Sequence, residues 1–152
     1  MKIALITDTH FGGKNDNLSF AAFQRQFYEG TFFPILEREG VTTVVHLGDT
    51  FDRRKYTNFN TLKLAKEMFF TPIYERGIEL HTLLGNHDCY FKSTNEVNSM
   101  SLTCGEYPIH LYKDTPEVIN FDGLDILMTP WIAPDKHAES LRIISRAKAD
   151  FL

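Results

Sequence analysis

The sequence predicts an α/β protein: a β-α-β-α-β series forming a parallel sheet, followed by an antiparallel hairpin. Three observations carry this. Three short apolar runs, at 3–6, 41–47 and 78–84, have the length and apolarity of parallel strands covered on both faces. The two stretches between them space their apolar residues helically. Asp122-Gly123 separates two further apolar runs, as in a two-residue hairpin loop.

The elements follow in order. Ile3-Ala4-Leu5-Ile6 ends directly in polar residues. Phe20, Phe23, Phe27, Ile35 and Leu36 recur at roughly helical spacing; Gly30 and Pro34 interrupt them and predict a kink or restart. Val41-Thr42-Thr43-Val44-Val45-His46-Leu47 is rich in β-branched residues. Leu62, Ala65, Met68, Phe69 and Ile73 form the second helical pattern, with Pro72 near its end, and Ile78–Leu84 is the third strand. Gly40 and Gly77 each precede a strand, as helix-stopping glycines do. A β-α-β-α-β series implies right-handed crossovers. Val118–Phe121 and Leu124–Met128 make the hairpin, and Ala138, Leu141 and Ile144 mark a last amphipathic helix. No repeat, linker or low-complexity segment divides residues 1–152, which read as a single domain.

Composition narrows the function classes. At 43% hydrophobic and 24% charged, the 152-residue chain is globular and long enough to bury a core, with 13 Phe as core and interface material. A net charge of −4 argues against nucleic-acid binding by charge alone, so any DNA binding needs a local basic patch, metal ions or a partner. Cys89 and Cys104 make neither a disulfide framework nor zinc-ligand spacing. No run has the length of a secretory segment or a bilayer span, and the expected location is the cytoplasm.

A polar cluster stands after each of the three parallel strands: Asp8 and His10 after the first, Gly48-Asp49 after the second, Gly85-Asn86-His87-Asp88 after the third. Carboxyl ends of neighbouring parallel strands lie side by side, so the clusters converge in space although far apart in sequence. Carboxylate, imidazole and amide donors suit manganese, iron or zinc. Asp49 can bridge two metals, and two metals ~3.5–4 Å apart can clamp the attacking and leaving oxygens of a phosphoester displacement. Alone, Asp-x-His reads as a helix cap and Gly-Asp as a turn; all three, each behind its own strand, outweigh that reading. His46 and His81 read as core or edge residues, His110 and His137 receive no role, and Cys89 reads as a buried inert thiol.

The order Asp-x-His, Gly-Asp, Gly-Asn-His-Asp resembles the calcineurin-like metallophosphoesterases over nearly the whole chain, to about Trp131. Protein phosphatases of that superfamily carry Arg before Gly-Asn-His, and usually Glu after it; here Leu84 precedes and Asp88 follows. The block Gly48-Asp49-Thr50-Phe51-Asp52 and Pro130-Trp131 resemble the repair-nuclease branch, which includes SbcD-type exonuclease subunits and their T-even phage counterparts. The resemblance implies a manganese-dependent DNA nuclease. Asp8, His10 and Asp49 would hold one metal, and Asp49 with Asn86 the second. His87 would face the scissile phosphate and Asp88 would orient it. The family pattern also implies homodimers, a coiled-coil repair ATPase partner and DNA ends as substrate. Phage-like wording implies a host cytoplasm.

The family pattern has a further His and a Gly-His-x-His block that this sequence does not contain. Residues 1–152 are therefore expected to be the N-terminal part of a metallophosphoesterase domain, the first half of its α/β/β/α sandwich, with weakened metal sites and an apolar, association-prone flank. Arg53-Arg54-Lys55 reads either as a contact for DNA phosphates or as a solvated or dimer-contact charge run. The helix after Asn58 and the segment 95–104 are dimer surfaces by resemblance. Two other functions stay open: a phosphatase or small phosphodiesterase, and a non-catalytic dimerisation or partner-binding module.

Overall fold

The computed structural model describes residues 1–151. Four strands, β1 (Ile3–Ile6), β2 (Thr43–His46), β3 (Glu79–Leu83) and β4 (Ile109–Tyr112), form a sheet in the order β1-β2-β3-β4. All its pairs are parallel. The expected hairpin is present as β5 (Glu117–Phe121) and β6 (Leu124–Met128), antiparallel, with Phe121 opposite Leu124 across the two-residue loop. Asp122 (φ 54°) and Gly123 (φ 92°) both take left-handed backbone there, as a twist-matched tight turn requires.

Alternation along the strands sorts side chains onto two faces. Ala4, Ile6, Val44 and Leu80 pack with the helices into the main core, around Phe11, Tyr28, Phe32, Phe33, Phe51, Phe69 and Phe70. The aromatic excess is used here: Phe69 alone lies within 6.2 Å, centroid to centroid, of Phe11, Tyr28, Phe32 and Phe70. Ile3, Val45, Leu83 and Tyr112 face the other way, against Phe121, Met128, Ile119 and Ile126 of the hairpin.

The helical layer is α1 (Gly13–Asp16), α2 (Leu18–Phe27), α3 (Phe33–Glu39), α4 (Phe59–Ala65), α5 (Thr71–Glu75), α6 (Ser99–Thr103) and α7 (His137–Arg146). The kink expected at Gly30 and Pro34 takes another form. A π-turn, Tyr28–Phe32, joins α2 to α3 without a break, and Lys66–Phe70 does the same between α4 and α5. Each widened turn ends just before a proline in the first turn of the next helix, with Phe33 N–H bonding back to Tyr28 and Thr71 N–H to Lys66. Proline lacks the donor and crowds the carbonyl four residues back; the wider turn moves that carbonyl away.

β4 and α6 are among the elements not anticipated. β4 is a short edge strand whose Ile109 and Leu111 pack against the main core, while His110 is exposed. The five-residue α6 is capped by Asn98, whose side chain accepts from Ser101 N–H.

Candidate metal centre

Backbone pairing between β1 and β2 continues past the strand ends and binds the first two motifs together. Leu47 N–H donates to Ile6 O, Asp8 N–H to Gly48 O (3.1 Å), His10 N–H to Asp49 O (3.1 Å) and Phe11 N–H to Thr50 O (2.8 Å). Asp8 (φ 52°), His10 (φ 40°) and Asp49 (φ 55°) all have left-handed backbone, costly for residues with a Cβ. Three such residues meeting at one place is the pattern of strain held for a site.

The third motif enters through Gly85. A Cβ there would lie 2.1 Å from Asp49 N and 2.2 Å from Asp49 Oδ1, so only glycine allows the β3 loop this close. His87 N–H donates to Asp49 Oδ1 (2.9 Å), while Asp49 Oδ2 lies 3.9 Å from His10 Nε2. The two carboxylate oxygens of Asp49 thus face different motifs.

Asp8, His10 and Asp49 each offer one ligand atom, and the three atoms lie within 4.8 Å of one another. His10 Nε2 is 3.4 Å from Asp8 Oδ1, and His10 Nδ1 is buried without a hydrogen-bond partner. Asn86, with Asp8, Asp49 and Trp131, lines an adjoining cleft of about 210 Å³. The Thr7 hydroxyl, 2.6 Å from Asp8 Oδ2, is the main cause holding the Asp8 carboxyl below its ordinary value, and His10 acts the same way. Converging carboxylate and imidazole donors beside an amide fit divalent metal ions.

The His87 ring stands edge-on to His10, with centroids 5.0 Å apart. Its Nδ1 lies 2.6 Å from the carbonyl oxygen of Asp52 and so carries the proton, leaving Nε2 free. The orienting group expected for His87 was Asp88, and the geometry differs. Asp88 is fully buried and accepts from Thr50, Phe51 and Gly85 N–H at 3.0–3.2 Å. It ties the second and third motifs together through their backbones, with all of its nearby donors drawn from those loops and from Ser99. Burial pushes its carboxyl up, against the lowering effect of the three N–H donors.

Two residues escaped the sequence reading. Asp52 supplies the carbonyl for His87 and a carboxylate 3.5 Å from His10 Nδ1; the available signal was its place three residues after Asp49. His46 is buried in β2, as expected of a core residue, but it also builds the site. Gly48 N–H donates to its Nδ1 (3.1 Å), so Nε2 bears the proton and meets Thr9 Oγ1 at 2.9 Å, which in turn donates to Thr50 O. Burial lowers the His46 pKa to about 4 and keeps the ring neutral.

The basic run is engaged locally. Arg53 bonds Asp16 and Asn15, Arg54 donates to Cys89 O and lies over Trp131, and Lys55 sits over Tyr90. Cys89 and Cys104 are buried, which pushes their thiols up to about 12 and 11, outside nucleophilic range at neutral pH.

The fold and the site together define a class: an α/β protein whose parallel sheet carries a candidate divalent-metal centre of carboxylate and imidazole donors, beside an amide, at its carboxyl edge. The chain belongs to the calcineurin-like phosphoesterase family, whose sequence profile matches residues 1–149. It is 32% identical over 155 residues to exonuclease subunit 1 of Enterobacteria phage T4, across 99% of this chain and 44% of that protein. The chain therefore spans less than half the length of this relative. Among solved structures, a protein of unknown function from Aquifex aeolicus aligns with a TM-score of 0.45 and 20% identity, over 95% of this chain and 72% of that one. No helix among the described residues is long and apolar enough to cross a membrane.

Proposed function

We propose that this chain is part of a manganese-dependent DNA nuclease that hydrolyses phosphodiester bonds at DNA ends. The observation that carries the reading is the convergence of Asp8, His10 and Asp49 within 4.8 Å, with Asn86 and His87 delivered beside them by the β3 loop. The 32% identity to a phage exonuclease subunit supports the nuclease branch.

In this reading Asp8, His10 and Asp49 would hold one divalent ion, and Asp49 with Asn86 a second. Bound metals supply Lewis-acid stabilisation and activation of water for in-line attack. Asp49 would be common to both sets of ligands. His87, its Nδ1 proton committed to the Asp52 carbonyl, presents Nε2 to the phosphoester; in its doubly protonated form it would give the Nε2 proton to the leaving oxygen and end as the neutral Nδ1–H ring. Asp88 holds the second and third motifs in register as a positioning residue.

The reading extends to organisation. Residues 1–152 act as the N-terminal part of a longer nuclease domain, as the 44% coverage of the phage relative supports. DNA recombination or double-strand-break repair, a coiled-coil ATPase partner and cytoplasmic location follow from the repair-nuclease resemblance. A homodimer fits the apolar surface beside α4 and α6, where Phe59 is 90% and Leu102 74% exposed. Arg53, Arg54 and Lys55 line the groove between these elements, but their local contacts make them weak candidates for gripping DNA. That engagement favours a second reading, a phosphodiesterase acting on small substrates.

The test is calorimetric titration of manganese into this chain and its Asp49→Ala variant, followed by incubation with linear duplex DNA and with a small aryl phosphodiester. Manganese binding lost with Asp49, together with metal-dependent DNA cleavage, is the expected result. Cleavage of the small diester alone supports the second reading. Absence of Asp49-dependent metal binding overturns both for this chain.

A further inference from the structure

A second group of donors lies at the other end of the same sheet. Glu79 and His81 are two residues apart on β3 and so project from one face, and His110 is the register partner of His81 on β4. Glu79 Oε1 is 3.2 Å from His81 Nε2 and 3.1 Å from His110 Nε2, and the three donor atoms lie within 4.8 Å of one another. The two imidazole rings stack at 4.5 Å. Gly85 and Asn86 lie six and seven residues beyond Glu79 along the chain, which at strand rise places the two groups on the order of 20 Å apart.

We infer that Glu79, His81 and His110 form a second metal site, for one zinc-class divalent cation, independent of the candidate centre at the strand carboxyl ends. Three observations support it. His81 is only 5% exposed, yet its Nε2 has no hydrogen-bond partner, although it lies against the Glu79 carboxylate. A buried nitrogen left unpaired is costly unless something else satisfies it. Tyr112 OH lies 2.7 Å from His81 Nδ1, within hydrogen-bond distance. With a metal ion on Nε2 the ring proton sits on Nδ1 and the Tyr112 oxygen accepts it, the arrangement by which an outer partner orients a metal-bound imidazole. Finally, a tetrahedral ion with ~2.0–2.1 Å bonds to N and O needs donors roughly 3.3 Å apart, and both carboxylate–imidazole edges already have that length.

The chemistry selects the metal. Two imidazoles and one carboxylate favour zinc, cobalt, nickel or copper over magnesium and calcium. The site is open: Glu79 and His110 are each about half exposed (52% and 54%), so a fourth position is left for water or another donor. By joining β3 to β4, the ion clips the edge strand of the sheet to its neighbour. This inference does not depend on the nuclease reading.

The experiment titrates zinc, and cobalt(II) as a spectroscopic probe, into the full chain carrying Asp49→Asn to weaken the other centre. Glu79→Gln and His110→Ala are then compared in that background; both side chains are half exposed, so the fold is expected to survive, as circular dichroism will check. The parent is expected to bind one zinc, give cobalt(II) bands of tetrahedral intensity and gain melting temperature with zinc. Each variant is expected to lose at least tenfold in affinity and the zinc-dependent thermal gain. Tyr112→Phe, which leaves the three donors in place, is expected to weaken binding by roughly 10–100-fold. Zinc binding unchanged in both Glu79→Gln and His110→Ala, or no zinc bound by the parent, overturns the proposal.

Discussion

His46 shows how one side chain serves fold and site together. It accepts from Gly48 N–H at Nδ1, so a second proton on the ring breaks that bond and places charge among apolar neighbours. Its folded pKa of about 4 lies below the usual ~6.5, so between these values the unfolded chain binds a proton that the folded chain does not. Stability is full above about pH 6.5 and falls as pH drops toward 4, by up to roughly 3 kcal/mol from this group. Melting the metal-free protein across that range should show a steeper acid loss than in His46→Gln; equal slopes would show that His46 is not the group responsible. Asp88 makes the complementary case. Asp88→Ala strands three buried backbone N–H groups and should cost about 3 kcal/mol or more in denaturant unfolding, whereas Asp88→Asn, which keeps an acceptor oxygen, should cost less. A loss under about 1 kcal/mol for the alanine variant would mean that water replaces the carboxylate.

Among the elements, those carried by local chemistry were legible in advance. The hairpin follows from Asp122-Gly123, whose left-handed backbone the structure confirms. A Cβ at Gly123 would meet nothing within 4 Å, so Gly123→Ala isolates the cost of φ 92° alone. About 1 kcal/mol is expected, read as a fall in melting temperature with no change in metal binding; no measurable shift would mean that the turn relaxes at little cost. The kink expected between α2 and α3 became a π-turn because the sheet-facing aromatics stay buried only if the helix continues. Tyr28, Phe32 and Phe33 all reach the core across that turn. β4 was missed because a four-residue edge strand with one exposed face and a histidine in the middle carries little periodic signal.

For the whole molecule, the two sheet faces are unequally covered. The helices seal one face, whereas the hairpin leaves an apolar cavity of about 490 Å³ between itself and Ile3, Leu5, Val45, Leu47 and Leu83. Leu5 is 65% exposed there, in line with the apolar flank expected from the sequence. The surface beside α4 and α6 is the more discrete patch, and association through it has a direct check. Phe59→Asp combined with Leu102→Asp should convert a dimer to a monomer in sedimentation, with little loss of fold, since both side chains are largely solvent-exposed in the single chain. An unchanged dimer would move the interface elsewhere.

By itself the sequence determined the first three strands, the hairpin and the three polar motifs behind those strands. Each is encoded locally, in short apolar runs, glycines at special backbone angles and polar residues at fixed offsets. Only the tertiary structure decided what those side chains do. Asp88 binds backbone loops while a carbonyl of Asp52 takes the imidazole of His87, because hydrogen-bond partners are set by which loops the sheet brings within hydrogen-bond reach. The pairing of His81 with His110 depends on the register of β3 against β4, a long-range quantity that no local pattern in either strand specifies.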